Sequence, residues 1–397
     1  TLFPYTTLFR SEFGKHYFGT FLFGFTKWLD KNIKNKKVDK IFFFSRDGYM
    51  MKKAFEEISE LSSKSVYVYF SRKSIRQALL CKCESYNESI KYLSVEKYVS
   101  LGKILEYYGF SDSEREELAG EYGLCLHKEY KFADLGTSEE LEKIYMMLKD
   151  QIYLMSSKQR DYLLKYLKQI DMKGDCAIVD IGWHGSMQYY LETFCRENNW
   201  PIHLFGYYVG VLPSVPILGE THGFVYNEKN TKFRKSMLCF FGVLEKLFQS
   251  LEGSTYGYEY KDEKIVPILN IYEYENNDKF IRCISEWQKG ALDYISEEKS
   301  ACSEEKSACS EENSYIHYAM PLIKCGKNPS LKNVKLFSFF YNTDGIKEYY
   351  VSQKGLFQYK PKELLHELSN SVWKTGFMKS VFKIPFPYYW VYCLLKK

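Results

Sequence analysis

The fold follows from one stretch of sequence, Ile41-Phe42-Phe43-Phe44-Ser45-Arg46-Asp47-Gly48, in which a short apolar run ends in a polar turn. Such a run is typical of a buried strand. The amphipathic spacing of residues 49–61 predicts a helix, and residues 66–70 form a second apolar run. Because two strands separated by a helix form a parallel, right-handed crossover, their C-terminal ends meet at one sheet edge, where ligands of open α/β sheets bind.

The sheet is expected to resume after a helical interruption. Residues 177–181 and 204–212 are two further strand candidates, whereas residues 75–158 have helical patterning with few strand candidates. The sequence therefore predicts an α/β fold, with a Rossmann-like, mainly parallel sheet, a helical cap insertion and a mostly helical C-terminal lobe. Residues 12–74 and 159–258 form its discontinuous core, and the cap comprises residues 75–158.

Two other segments differ in character from this core. Residues 1–11 read as the translation of a common short-read sequencing adapter, so we set them apart from the fold as an expected assembly scar. The C-terminal lobe, residues 259–397, is rich in Tyr and Glu and contains a polar seven-residue repeat at 296–314. Because this repeat has no apolar face, we expect a flexible connection or an extended helix end rather than a coiled coil.

Composition excludes several classes of protein. The 397 residues suit two or three lobes. The 55 basic and 50 acidic residues give a net charge of +5 that is spread along the chain, which argues against nucleic acid as a partner. No apolar run reaches the roughly 18 residues that a membrane-spanning helix needs. The 11 cysteines are scattered, which favours a reducing, cytoplasmic location over a disulfide framework.

The turn after the first strand carries residues suited to phosphoryl transfer. Transfer through an aspartyl intermediate uses a carboxylate nucleophile at a strand end and a second carboxylate two residues later, as acid/base and metal ligand. Asp47 occupies the second position, but Ser45 occupies the first, and a serine hydroxyl is a poor nucleophile without a base. Asp47 and Ser45 are the catalytic candidates, and Arg46 and Gly48 are candidate phosphate-binding residues.

A second turn follows the strand at 177–181 and contains two glycines. Backbone N–H groups in such a strand-to-helix turn can hold an anion, so Gly182, Gly185 and Ser186 are candidate phosphate contacts. His184, in the same turn, is a candidate acid or base near neutral pH. A tight turn with an N-cap serine is the structural alternative.

Four strings together resemble a bacterial group of hydrolases in the haloacid dehalogenase-like superfamily. They are Ser-Arg-Asp-Gly at 45–48, Ser-Arg-Lys-Ser at 71–74, Val-Asp-Ile-Gly-Trp-His-Gly-Ser-Met-Gln at 179–188 and Leu-Glu-Gly-Ser-Thr-Tyr-Gly-Tyr at 251–258. The resemblance covers roughly residues 18–258. It implies that Asp47 and Asp180 are ligands of Mg²⁺ and that Ser71 hydrogen-bonds phosphate. It also requires a basic residue, for which Lys158 or Arg160 is a candidate by location, with a solvated helix-face charge as the alternative.

The same resemblance implies a biological setting. Members of this group are encoded with, or fused to, glycosyltransferases of surface polysaccharide synthesis, so the expected ligand is a phosphorylated sugar or nucleotide-sugar and the expected partner is a glycosyltransferase domain or protein. Two alternatives stay open. The replacement of the nucleophilic aspartate suggests an inactive binding module. The glycine turn, with Asp180, suggests instead a glycosyltransferase that holds a nucleotide diphosphate there.

Residues 382–392 read Phe-Lys-Ile-Pro-Phe-Pro-Tyr-Tyr-Trp-Val-Tyr. Aromatic residues flanked by lysines suit a membrane interface, so a peripheral membrane contact is one expectation for this tail. Docking of the tail on its own protein is the other.

Overall fold

The computed structural model describes residues 3–93, 97–304, 315–342 and 348–396, so part of the predicted repeat, residues 305–314, lies outside them. The strands are β1 (Lys40–Phe44), β2 (Ser65–Val68), β3 (Tyr98–Ser100), β4 (Glu129–Lys131), β5 (Gly174–Trp183), β6 (Ile202–Val211), β7 (Glu220–Tyr226), β8 (Thr255–Lys261), β9 (Lys264–Leu269), β10 (Tyr341–Asn342) and β11 (Glu348–Tyr349). The α-helices are α1 (Phe3–Phe13), α2 (Thr20–Lys34), α3 (Gly48–Ile58), α4 (Arg72–Gln77), α5 (Tyr86–Ser89), α6 (Leu101–Tyr108), α7 (Asp112–Tyr122), α8 (Glu139–Gln169), α9 (Ser186–Glu197), α10 (Arg234–Leu238), α11 (Phe241–Phe248), α12 (Asp278–Glu304), α13 (Ile316–Lys327), α14 (Leu331–Leu336), α15 (Pro361–Asn370), α16 (Lys374–Phe382) and α17 (Tyr388–Leu395).

The central sheet has five parallel strands in the order β2-β1-β5-β6-β7, which confirms the predicted α/β class. The sequence analysis did not predict β7. This edge strand has a continuous apolar run of only three residues, Phe224 to Tyr226, after a polar start, which is too short a signal to separate from a loop.

Alternation along β1 distributes its side chains between two hydrophobic layers. Ile41 and Phe43 pack into the layer formed with α2, α3 and the C-terminal helices. Phe42 and Phe44 face the other layer, which α4, α9 and the C-terminal half of α8 cover. All four side chains are at most 1% exposed. Burial on both faces explains why the strand reads as an unbroken apolar run rather than as an alternating one.

The helical insertion has a hydrophobic cluster of its own, formed by residues between Leu80 and Ile152. Helix α8 joins this cap to the sheet. Its N-terminal half contributes Leu141 and Leu148 to the cap cluster, whereas its C-terminal half contributes Leu163 to the layer on the sheet. A single continuous helix, α8, therefore joins the cap to the sheet.

The C-terminal helices share the core of the N-terminal part of the chain. Helix α12 packs so closely on the π-helical segment Gly14–Gly19, which joins α1 to α2, that a Cβ added at Gly14 would lie 2.0 Å from the carbonyl oxygen of Trp287. Arg10, in the segment set apart as an assembly scar, pairs with Glu286 at 2.9 Å. The main hydrophobic cluster extends from residue 13 to residue 392, so the C-terminal lobe supports the sheet directly.

Candidate functional site

A cavity of about 630 Å³ opens at the C-terminal edge of the sheet, beside the ends of β1 and β5. The chain leaves β1 towards β2 and leaves β5 towards β6, in the opposite direction across the sheet. The cavity therefore lies at the topological switch point, where open α/β sheets bind ligands. The turns after both strands line it, together with part of α11 and residues of the C-terminal lobe.

Three of the four carboxyl groups that line the cavity form what we call the carboxylate group: Asp47 after β1, Asp180 in β5 and Glu245 in α11. Burial, followed by the charges of Asp180 and Glu245, raises the pKa of Asp47 well above its ordinary value. Burial raises the pKa of Asp180 to about 6 and also raises that of Glu245. The three groups therefore resist simultaneous ionisation near neutral pH.

The protein compensates these carboxylates only in part. The indole N–H of Trp183 donates to Oε1 of Glu245 at 3.1 Å. Hydrogen bonds from the backbone N–H groups of Ile181 and Gly182 lower the pKa of Asp180 and so offset part of the increase that burial causes. Within the described ranges, no lysine or arginine forms an ion pair with any member of the carboxylate group.

A second charged group in the cavity wall is balanced, and we call it the Glu273 group. Arg46 Nη1 donates to Glu273 Oε2 at 2.5 Å, and Lys246 Nζ donates to Glu273 Oε1 at 2.8 Å. Burial opposes ionisation of Glu273, but the two cations outweigh it and lower the pKa of this carboxyl to about 2. Arg46, predicted to contact phosphate, is thus already paired within the protein.

Arg72 is the cation best placed to meet a ligand. It begins α4 at the cavity edge and is exposed. Its charge favours the ionised forms of Asp180 and Glu245. Among the residues that the structure describes, none forms a hydrogen bond or an ion pair with its guanidinium. Five N–H donors in a planar fork suit phosphate, so Arg72 is available for an anionic ligand.

Ser45, a catalytic candidate, and Ser71, a predicted phosphate contact, both line the cavity, but their hydroxyl groups hydrogen-bond to the protein itself. Ser45 Oγ donates to the carbonyl oxygen of Phe70 at 3.3 Å and lies 3.5 Å from Thr255 Oγ1. Ser71 is the N-cap of α4: its Oγ donates to the carbonyl oxygen of Thr255 at 2.6 Å and accepts from the backbone N–H of Ser74. These contacts join the ends of β1 and β2 to the start of β8.

The glycine turn brings a helix N-terminus to the cavity. Gly182, Trp183 and Gly185 have φ values of 100°, 75° and 69°, so the chain turns sharply from β5 into α9. Gly185 is the N-cap of α9 and Ser186 is its first residue, so the expected alternative, an N-cap serine, is wrong. The first N–H groups of α9 lie at the cavity wall.

His184 lies at the exposed mouth of the cavity. Burial of part of its ring, with the nearby charges of Arg234 and Arg72, lowers the pKa of its imidazole. The side chain is therefore neutral at pH 7, which suits a base or a hydrogen-bonding group rather than a general acid. Gly48, the remaining candidate of the first turn, is buried at the start of α3 and packs on Phe43.

The basic residues chosen by location do not reach the cavity. Lys158 is on the exposed side of α8, with its ammonium 5.7 Å from the ring centre of Tyr162. Arg160 pairs with Glu197 at 3.2 Å. The predicted phosphate contact of Lys158 therefore has no support from its position. Sequence reasoning missed Lys246 and Glu273, which lie far along the chain and carry no local signal.

The string at 251–258 borders the cavity as a structural element. Glu252 accepts hydrogen bonds from Tyr67 at 2.5 Å and from Ser250 at 2.9 Å. The hydroxyl of Tyr258 donates to the carbonyl oxygen of Tyr69 at 2.7 Å. These contacts hold the segment against β2, which explains this part of the motif without a ligand.

The carboxylate oxygens in the cavity are suitable ligands for Mg²⁺. Asp47 and Asp180 supply carboxylate oxygens from adjacent strands, and Mg²⁺ commonly takes one or two carboxylates while waters and substrate phosphates complete its shell. In the described part of the chain, no group of three or more His, Cys, Asp or Glu residues is arranged to hold a metal ion.

No protein-family model matches this chain, and no curated protein matches it either. The likeness to haloacid dehalogenase-like proteins thus stays a prediction from the four strings.

Proposed function

We propose that this protein binds a phosphorylated sugar or nucleotide-sugar in the cavity at the switch point between β1 and β5. One observation carries the proposal: a cation and three carboxylates, all without an ion-pair partner among the described residues, line a single cavity. Its volume of about 630 Å³ falls within the usual range for small-molecule sites. Burying the three carboxylates is costly unless a ligand completes them.

The two kinds of charge suit the two parts of such a ligand. The guanidinium of Arg72 and the N–H groups at the start of α9 are donors for phosphate oxygens. The carboxylates are acceptors for the hydroxyl groups of a sugar. A ligand with phosphate and hydroxyl groups a few ångströms apart would use both sets.

Mg²⁺ is the proposed cofactor. When bound, it would neutralise charge on phosphoryl oxygens and relieve the repulsion between carboxylates. Asp47 and Asp180 are the residues proposed to hold it.

The residues favour binding and proton transfer over an aspartyl-phosphate route. Ser45 stands where the nucleophile would be, and its hydroxyl contacts Phe70 and Thr255 rather than a base. Burial raises the pKa of Asp47, which in the absence of metal favours its protonated form and allows it to donate a proton to a bridging oxygen, whereas as a ligand of Mg²⁺ it would be ionised. The engaged hydroxyl of Ser45 favours, as a second candidate, a binding module without turnover.

The wider setting rests on the resemblance alone. Surface polysaccharide synthesis, a glycosyltransferase partner and a cytoplasmic location all remain predictions. None of them is needed for the binding proposal.

Titration calorimetry with glucose 1-phosphate and with UDP-glucose, each in the presence of Mg²⁺, tests the binding proposal. We expect wild-type protein to bind at least one probe and Arg72→Ala to bind it about tenfold or more weakly, because a charge-assisted pair is lost. Lys158→Ala removes a cation far from the cavity and is expected to match wild type. Absence of heat with both probes would contradict the proposal.

A phosphatase assay separates the two candidate functions. Mg²⁺-dependent phosphate release by wild type that disappears in Asp47→Asn would support an enzyme. Release that is present only in Ser45→Asp, which restores the carboxylate, would support the binding module.

A further inference from the structure

The C-terminal region presents an apolar surface that nothing in the described structure covers. We call it the tail face, and its side chains are each at least 38% exposed: Phe382, Ile384, Phe386, Trp390, Leu394 and Leu395. Monomeric proteins commonly expose single apolar side chains, but a contiguous set along one short segment marks an interaction surface.

Helix α17 is docked by one side and exposed on the other. Tyr388 and Tyr392, one turn apart, are 4% and 5% exposed and belong to the main hydrophobic cluster. Trp390 and Leu394, also one turn apart, are 61% and 46% exposed. Docking therefore accounts for one side of the helix and leaves the outer side without a partner.

The loop before α17 is held so that its apolar side chains point away from the core. Lys379 Nζ and the hydroxyl of Tyr388 both donate to the carbonyl oxygen of Ile384, at 3.0 and 3.1 Å. The ring of Phe382 stacks on Tyr388. Ordering this loop costs little on binding, because its backbone is already fixed.

The charges within the C-terminal segment that carries the tail face have one sign. Residues 371–397 contain five lysines and no Asp or Glu, and Lys383 and Lys396 are exposed beside the apolar side chains. An apolar face bordered by positive charge is complementary to a surface with anionic headgroups and an apolar interior. A second copy of the chain would instead bring like charges together, which disfavours self-association through this face.

We propose that the tail face lies on an anionic phospholipid surface, with Phe386 and Trp390 at the boundary between headgroups and acyl chains and with Lys383 and Lys396 at the phosphates. The contact is interfacial: of the helices within the described ranges, none is both long and apolar enough to cross a bilayer. This inference is independent of the function proposed for the cavity.

Vesicle flotation of the full chain tests the proposal. Wild type is expected to float with vesicles of phosphatidylcholine and phosphatidylserine and to bind pure phosphatidylcholine vesicles more weakly. The double variant Phe386→Ser, Trp390→Ala should lower partitioning about tenfold or more, because it removes the inserted apolar area. Lys383→Gln should lower it about fivefold on anionic vesicles only, and high salt should mimic that change.

Tyr153→Ala and Lys158→Ala are the matched controls, since both side chains are exposed on α8, far along the chain from the tail face. Each should float like wild type. All the variants change exposed side chains, and unaltered thermal unfolding would show that they fold. The proposal is overturned if wild type does not float, if the double variant floats equally well, or if light scattering shows a dimer that Trp390→Ala dissociates while vesicles are not bound.

Discussion

The cavity holds two groups of charged side chains that differ in how far the protein balances them. In the Glu273 group, one carboxylate meets two cations at hydrogen-bonding distance, and its pKa falls to about 2. In the carboxylate group, Asp47, Asp180 and Glu245 line the same cavity, and their pKa values rise. Both groups are desolvated, so the difference arises from their partners and not from burial alone.

This difference separates a structural element from a candidate site. Balanced buried charges keep the turn after β1 joined to α11 and to the C-terminal lobe. Unbalanced carboxylates destabilise the folded chain at neutral pH, and proteins retain such arrangements where a ligand, metal or proton will meet them. Removing charge from each group in turn tests this difference.

The largest effect is expected from Glu273→Ala. The variant leaves Arg46 and Lys246 in the cavity wall without their carboxylate, and removing one partner of a buried ion pair costs about 3 kcal/mol or more. The free energy of unfolding in urea, followed by circular dichroism, measures this loss. The exposed neighbour Glu275 provides the control, because Glu275→Ala should change stability by less than about 0.5 kcal/mol.

The loss in Glu273→Ala should depend on pH in a defined direction. A carboxyl with a lowered pKa contributes stability above its ordinary value of 4.5, and that contribution is lost as the pH falls towards about 2. The difference in the free energy of unfolding between wild type and Glu273→Ala should therefore be largest at pH 7 and should decrease below pH 4.5. A gap that is independent of pH would contradict the role assigned to this ion group.

Asp180→Asn should have a smaller effect of opposite sign. A carboxyl with a raised pKa destabilises the fold once it ionises, so wild type loses stability as the pH rises from 3.8 through about 6, whereas the amide does not. The variant is expected to equal wild type near pH 4 and to be up to about 3 kcal/mol more stable at pH 8, because each pKa unit corresponds to about 1.4 kcal/mol. Thermal or urea unfolding across this range would measure the crossover, and equal curves at pH 8 would refute the repulsion.

Arg72→Ala should have the smallest effect on stability. Its guanidinium is exposed and forms no ion pair with the described residues, so we expect a change within about 0.5 kcal/mol. Together with the expected loss of ligand binding, this would separate Arg72 from Arg46, whose replacement removes a partner of Glu273. A large loss of stability in Arg72→Ala would show that Arg72 is a structural residue.

Local patterns placed two acidic residues at one sheet edge, and the structure has both there. Asp47 and Asp180 were predicted at one sheet edge because each follows or ends an apolar run, and parallel strands bring such ends together. The prediction failed for the basic residue, where Lys158 was chosen by its place before a strand. The pitch and docking of α8 determine which of its side chains face the sheet, and a single sequence does not specify that docking.

The strand-and-turn units at β1 and β5 can be recognised in the sequence alone, because burial on both faces produces apolar runs and turns demand glycine or polar residues. The distribution of charge in the cavity, in contrast, depends on the three-dimensional packing of distant segments. Glu245 and Glu273 are 198 or more residues from Asp47, and their effect on its surroundings depends on contacts across the fold. A pKa reflects distance and burial in space, which spacing along the chain does not encode.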